Sequence, residues 1–168
     1  MADYIYCNTS AESNFTVKNP IEVAGVFSEL GFNETYADVN KDGNGRVFIG
    51  GYDQLLTEED LYVVRNKNSH VVLGAYCTCN YSDMEDYISV EHDEKSDDID
   101  MYYETDVWSY LQSQLVSDTD YVFITEAGHE KLRYCQGVAV LITKSSIKWF
   151  SLHSIMIEEL KKQGISVR

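Results

Sequence analysis

Eleven carboxylates stand between Asp83 and Asp106, namely Asp83, Glu85, Asp86, Glu91, Asp93, Glu94, Asp97, Asp98, Asp100, Glu104 and Asp106, with Lys95 the single base among them. A guanidinium grips carboxylate and phosphate with similar bidentate geometry. Carboxylates spaced in this way, with Met84, Tyr87, Tyr102 and Tyr103 between them, can therefore fill the arginine and lysine sites of a protein built to hold nucleic acid. The expectation is a docking surface made of these acids with Tyr102 and Tyr103. The competing reading is a solvated loop, because runs of acids are often no more than that.

Three further constellations could carry chemistry. In Asp38-Val39-Asn40-Lys41-Asp42-Gly43, oxygen side chains at alternate places precede a glycine at the sixth, which is how the first half of a calcium loop wraps a hard cation. The match stops there, since Ile49 stands where a bidentate Glu would close the site. Asp38, Asn40 and Asp42 are the metal candidates, with Ca2+ the alternative to no cofactor at all, and a glycine-rich turn before a strand is the plainer reading. Cys77 and Cys79 with His70 or His92 lack the paired Cys-x-x-Cys knuckles of structural zinc and read as core thiols. In Glu126-Ala127-Gly128-His129-Glu130-Lys131-Leu132-Arg133-Tyr134, the groups His129, Glu130 and Arg133 collect at a hairpin tip. Covalent catalysis needs a nucleophile, a base and a group that orients the base, and only Cys135 or Tyr134 lies near. A recognition hairpin is the better reading, and binding is favoured over catalysis. No phosphate-cradling glycine loop, Gly-x-Ser-x-Gly elbow or His-Glu-x-x-His is present.

The totals agree with a binding role. The chain has 168 residues, 44% of them hydrophobic, enough for one domain with a packed core. Its formal net charge is −15, and the 24 residues from Asp83 to Asp106 carry −10 of it, leaving −5 to the other 144. Such a chain repels phosphates and anionic headgroups, so direct nucleic-acid and membrane binding are not expected, while a basic protein surface is attracted. Four scattered cysteines suit a reducing cytoplasm, and the N-terminal stretch lacks the basic start and apolar run of an export signal.

The elements that must position these groups follow from capping and periodicity. Asn19, Pro20 and Gly31 bound a helix from about Asn19 to Leu30 with Val23, Val26, Phe27 and Leu30 inward. Strands are predicted at Arg46–Tyr52 and His70–Cys77, with a helical turn starting at Thr57 between them. A helix runs from the cap Thr105 to about Leu115. Strands at Tyr121–Glu126 and Leu132–Thr143 are joined by Ala127–Glu130 as a tight turn, and Ile147–Leu152 forms a short strand. A last helix spans about Ser151 to Gln163, with Ile155, Ile157 and Leu160 on its apolar side. This order predicts a single α+β domain over residues 1–168, mainly an antiparallel sheet with helices packed on one face, and residues 83–106 as an acidic insert.

Ser13-Asn14-Phe15-Thr16-Val17-Lys18 and the Glu126–Tyr134 string, followed by Gly137, Ala139 and Ile142, resemble small uncharacterised proteins carried by phages, plasmids and conjugative elements of bacteria. The resemblance covers the helix after Lys18 and the stretch from Thr105 to Leu152. It implies an accessory protein acting in the cytoplasm of a bacterial host, where countering a nuclease or a guide-RNA effector complex, as anti-restriction and anti-CRISPR proteins do, is a common occupation.

Overall fold

A computed structural model of the chain describes residues 5–9, 15–51, 60–69, 71–77, 99–104, 106–130 and 134–165. The first helix, α1 (Pro20–Glu29), has the limits its sequence dictates. Pro20 fills the first turn, where its missing N–H costs nothing, and Gly31 follows at φ 99°, a left-handed conformation that ends helices and favours glycine. Asn19 occupies the N-cap position, but its side chain accepts no capping hydrogen bond. Val23, Val26 and Phe27 are fully buried, as their spacing requires, and half-buried Leu30 packs against the same core.

The fold is α+β and its strands pair antiparallel, but they divide into three sheets instead of one. β1 (Ile5–Thr9) leads the chain; β2 (Tyr36–Val39) and β3 (Gly45–Phe48) form a hairpin, and the chain continues through Ile49 into β4 (Gly50–Gly51). β5 (Leu61–Asn66) lies between β6 (Val72–Cys77) and β7 (Ile99–Glu104). β8 (Tyr121–Glu130), β9 (Tyr134–Thr143) and β10 (Ser146–Ser151) join β1 and β4 in a five-stranded sheet ordered β10-β9-β8-β1-β4.

Helix α2 (Val107–Gln114) closes the core between these sheets, burying Val107, Trp108, Tyr110 and Leu111, with Leu115 just beyond it. Trp108 meets Phe27 at 6.1 Å between ring centroids and Trp149 edge-on at 5.9 Å. A short seam, Phe15 to Lys18, stitches the hairpin to α2. Val17 N–H donates to the Gly45 carbonyl at 2.8 Å and Lys18 N–H to the Gln114 carbonyl at 2.9 Å. Gly45 is required there, because a Cβ would run into the Asp38 carbonyl.

Helix α3 (Leu152–Lys162) begins at a Ser151–Ser154 capping box and ends before Gly164 at φ 75°. It crosses β9 near Gly137, where an added Cβ would lie 3.5 Å from Leu152 Cβ. None of its residues is buried. Ile157 and Leu160 are half-buried, whereas Ile155, expected on the inner side, is 51% exposed.

Several sequence expectations are corrected. Ala127–Glu130 is not a turn: these residues belong to β8, which stays in register with β9 through Glu130↔Tyr134. The helix expected to be capped by Thr105 is capped by Asp106. Strands β1, β2 and β5 were not anticipated, and the acidic insert includes a strand, β7, hydrogen-bonded to β5 from Leu61↔Glu104 to Asn66↔Ile99. The predicted helical turn at Thr57, together with Tyr52 and His70 at the ends of expected strands, lies outside the described residues.

Candidate functional site

The acidic segment meets the described fold at its C-terminal end. Asp100, Tyr102, Tyr103 and Glu104 belong to β7, whose backbone pairs with β5 with Arg65 opposite Asp100 and Tyr62 opposite Tyr103. Asp83, Glu85, Asp86, Glu91, Asp93, Glu94, Asp97 and Asp98 lie outside the described residues. Asp106 has work inside the fold. Its Oδ1 accepts from the backbone N–H of Trp108 at 2.9 Å and of Ser109 at 2.8 Å, and its Oδ2 accepts from the Ser109 hydroxyl at 2.6 Å. It caps α2, and both carboxylate oxygens are engaged in doing so.

The hairpin motif sits deeper in the sheet than its composition suggests. His129 and Glu130 are strand residues, opposite Cys135 and Tyr134, and the preceding Gly128 is flanked on both sides, by Ile5 of β1 and Gln136 of β9. Arg133 lies outside the described residues.

The calcium-loop lookalike is the β2–β3 turn. Asp38 stands opposite Arg46 in the ladder, and the turn closes on itself: Asn40 N–H donates to the Asn44 carbonyl at 2.7 Å and Gly43 N–H to the Asn40 carbonyl at 3.1 Å. Asn44 Nδ2 donates to Asp42 Oδ2 at 3.3 Å, so that oxygen is already engaged. Gly43 takes φ 87°, which explains the glycine without a metal. Among the described residues no three His, Cys, Asp or Glu side chains are grouped to hold a metal ion. Cys77 is half-buried at the end of β6, while Cys79, His70 and His92 lie outside the described residues.

The structure brings together one polar cluster that the sequence reading missed. Glu22 of α1 is 4% exposed. Its Oε2 lies 3.0 Å from Arg65 Nη1 on β5, and its Oε1 accepts from the Tyr110 hydroxyl of α2 at 3.1 Å. Three elements far apart in sequence are clamped through one carboxylate. Above it lies an open cavity of about 160 Å³, lined by Asn19, Pro20, Ile21, Glu22, Val39, Gly43 and Ser69. That volume is below the roughly 300–1,000 Å³ of ordinary small-molecule sites. With both oxygens bound to a guanidinium and a phenol, Glu22 is equipped to hold elements together rather than to shuttle a proton. The signal that could have found it is its position: Glu22 interrupts the apolar stripe of α1 one residue before Val23 and four before Val26.

No helix among the described residues is long and apolar enough to cross a membrane. No protein-family model, curated protein or solved structure matches the chain.

Proposed function

We propose that the chain is a non-enzymatic binding protein that lays the acidic run of residues 83–106, its helix-capping Asp106 excepted, into a basic groove of a nucleic-acid-handling protein, a nuclease or guide-RNA effector complex, and so excludes the nucleic acid. The observation that carries this reading is the charge distribution. Eleven acids against Lys95 concentrate −10 of the −15 in one seventh of the chain, whereas acidity for solubility would be spread over the surface. The pairing of β7 with β5 supports it, because Asp100 and Glu104 of the acidic run stand on a strand of a sheet. The same charge repels phosphates, so the partner is a basic protein rather than DNA or RNA itself. The resemblance to mobile-element proteins supplies the setting, an accessory protein acting against a defence system in the bacterial cell.

The test is capture from a bacterial lysate on the immobilised chain, washed at graded salt, followed by affinity measurement on the purified partner. Binding should weaken as salt rises, since exposed charge pairs are screened over about 10 Å at 0.1 M ionic strength. Duplex DNA or guide RNA should compete. At about 0.2–1 kcal/mol per exposed pair, the triple variant D97N/D98N/D100N should bind roughly tenfold more weakly with an unchanged melting temperature. Unchanged affinity of the triple variant would remove the proposal.

A further inference from the structure

The glycine-rich turn between β2 and β3 holds a chemistry of its own. Asn44-Gly45 is the one place in the 168 residues where asparagine is followed directly by glycine. With no side chain on the glycine, nothing hinders its backbone nitrogen from attacking the side-chain carbonyl carbon of the asparagine. The bond formed from Gly45 N to Asn44 Cγ closes a five-membered succinimide. The Cγ–Nδ2 bond breaks, the proton from Gly45 N passes to the departing nitrogen, and ammonia leaves. Water then opens the ring at either carbonyl. One opening leaves an aspartate; the other leaves an isoaspartate, whose main chain runs through the former side chain and is longer by a methylene.

The fold controls the first step. The attacking nitrogen must give up its proton, and in the closed structure that N–H donates to the Val17 carbonyl at 3.1 Å, while the Gly45 carbonyl accepts from Val17 N–H at 2.8 Å. Gly45 is buried and stands opposite Val39 at the end of the β2–β3 ladder, so its nitrogen is held by the seam on one side and the hairpin on the other. The leaving amide is tethered too, with Asn44 Nδ2 donating to Asp42 Oδ2 at 3.3 Å. Ring closure therefore starts from molecules whose seam has parted from the hairpin, a local opening that costs less than global unfolding. The isoaspartate product cannot reclose. It lengthens the main chain at a point where even a Cβ on Gly45 would run into the Asp38 carbonyl. The effect reaches α2, because the same seam carries the bond from Lys18 N–H to the Gln114 carbonyl at 2.9 Å. We propose that Asn44-Gly45 is a self-modification site gated by the Phe15–Lys18 seam, and that its isoaspartate product keeps seam and hairpin apart.

The test is incubation of the full chain in mildly alkaline buffer, native and in guanidinium chloride. Intact mass and peptide mapping follow the gain of one dalton at Asn44, and hydrogen exchange follows the Gly45 and Val17 amides. The native chain should react at least about tenfold more slowly than the unfolded one, by a factor that matches the exchange protection of Gly45. Asp120→Ala, which removes the acceptor of the Thr16 N–H at 3.3 Å, should speed modification and Gly45 exchange alike by several-fold. Asn44→Gln should abolish the mass gain. In the purified isoaspartate form, the Val17 amide should exchange at least about tenfold faster than in the fresh chain. Equal rates in the native and unfolded chains would overturn the proposal, as would modification out of step with Gly45 exchange or a Val17 amide still protected after modification. Should Asp120→Ala fail to fold, the comparison of native with unfolded chain and the exchange data decide alone.

Discussion

Arg65→Met would leave the Glu22 carboxylate inside the protein with its guanidinium partner gone. The Glu22 side chain is 5% exposed, so water cannot replace what is lost, and the Tyr110 hydroxyl at 3.1 Å remains as a donor that carries no charge. Removing one member of a buried ion pair costs about 3–5 kcal/mol. The Arg65 side chain is 26% exposed, however, so part of its charge is solvated already and the cost belongs below that range, at about 2–3 kcal/mol. Tyr110→Phe removes one hydrogen bond to a charged acceptor, about 1.5–3 kcal/mol, without changing the ring that fills the core. The double variant Glu22→Met with Arg65→Met takes out both charges and should recover most of the loss, giving a coupling of about 2 kcal/mol. Urea unfolding followed by tryptophan fluorescence is the assay, because Trp108 sits in the same core at 1% exposure. The slope should stay constant while the midpoint moves. A domain with about 5–15 kcal/mol of stability remains folded through all of these changes. If Arg65→Met costs under about 0.5 kcal/mol, or the two single costs simply add, the clamp contributes nothing and this reasoning is wrong.

Two smaller predictions concern local structure. Asp106→Ala removes acceptors for two backbone N–H groups and a hydroxyl at the start of α2, and should lower stability by about 1–2 kcal/mol in the same urea assay, with Asp106→Asn recovering part of it. Gly25→Ala sets a helix-propensity gain of about 1 kcal/mol against a Cβ placed 2.9 Å from Val72 Cβ, where α1 packs on β6. Overpacking costs about 1–3 kcal/mol, so the net effect should be destabilising, and adding Val72→Ala, which keeps the contacting Cβ, should not relieve it.

What the sequence made legible were the elements punctuated by their own residues. Pro20 and Gly31 bound α1, and Ser151 and Gly164 bound α3, because caps act within a turn of where they stand. Elements defined by distant partners were not legible. β7 hides its alternation of Ile99, Met101 and Tyr103 among acids, and it is a strand because β5, over thirty residues earlier, supplies its ladder. Gly128 suits a turn, as glycine does, yet strands on both sides hold it within β8, opposite Ile5 and Gln136. Glu22 hid for the same reason, since its partners lie 43 and 88 residues away. The docking role assigned to the acidic run rests on charge that any reading of the sequence can count. Asp106 shows the limit of such counting, because a carboxylate that looked like part of a surface is spent on starting a helix.

The place of β1 between β8 and β4 carries a consequence for how the chain is made. The longest ladder of Ile5 to Thr9 is with Ile124 to Gly128, far along the chain. At about 5–20 residues per second, β1 waits roughly 6–25 seconds before β8 has been synthesised. During that interval, among the described strands, only the two residues of β4 are there to pair with it. The nascent chain therefore leaves most of β1 without its ladder until β8 emerges, and a chaperone that shields β1 in that interval should raise the yield of native protein more than one acting on the finished chain.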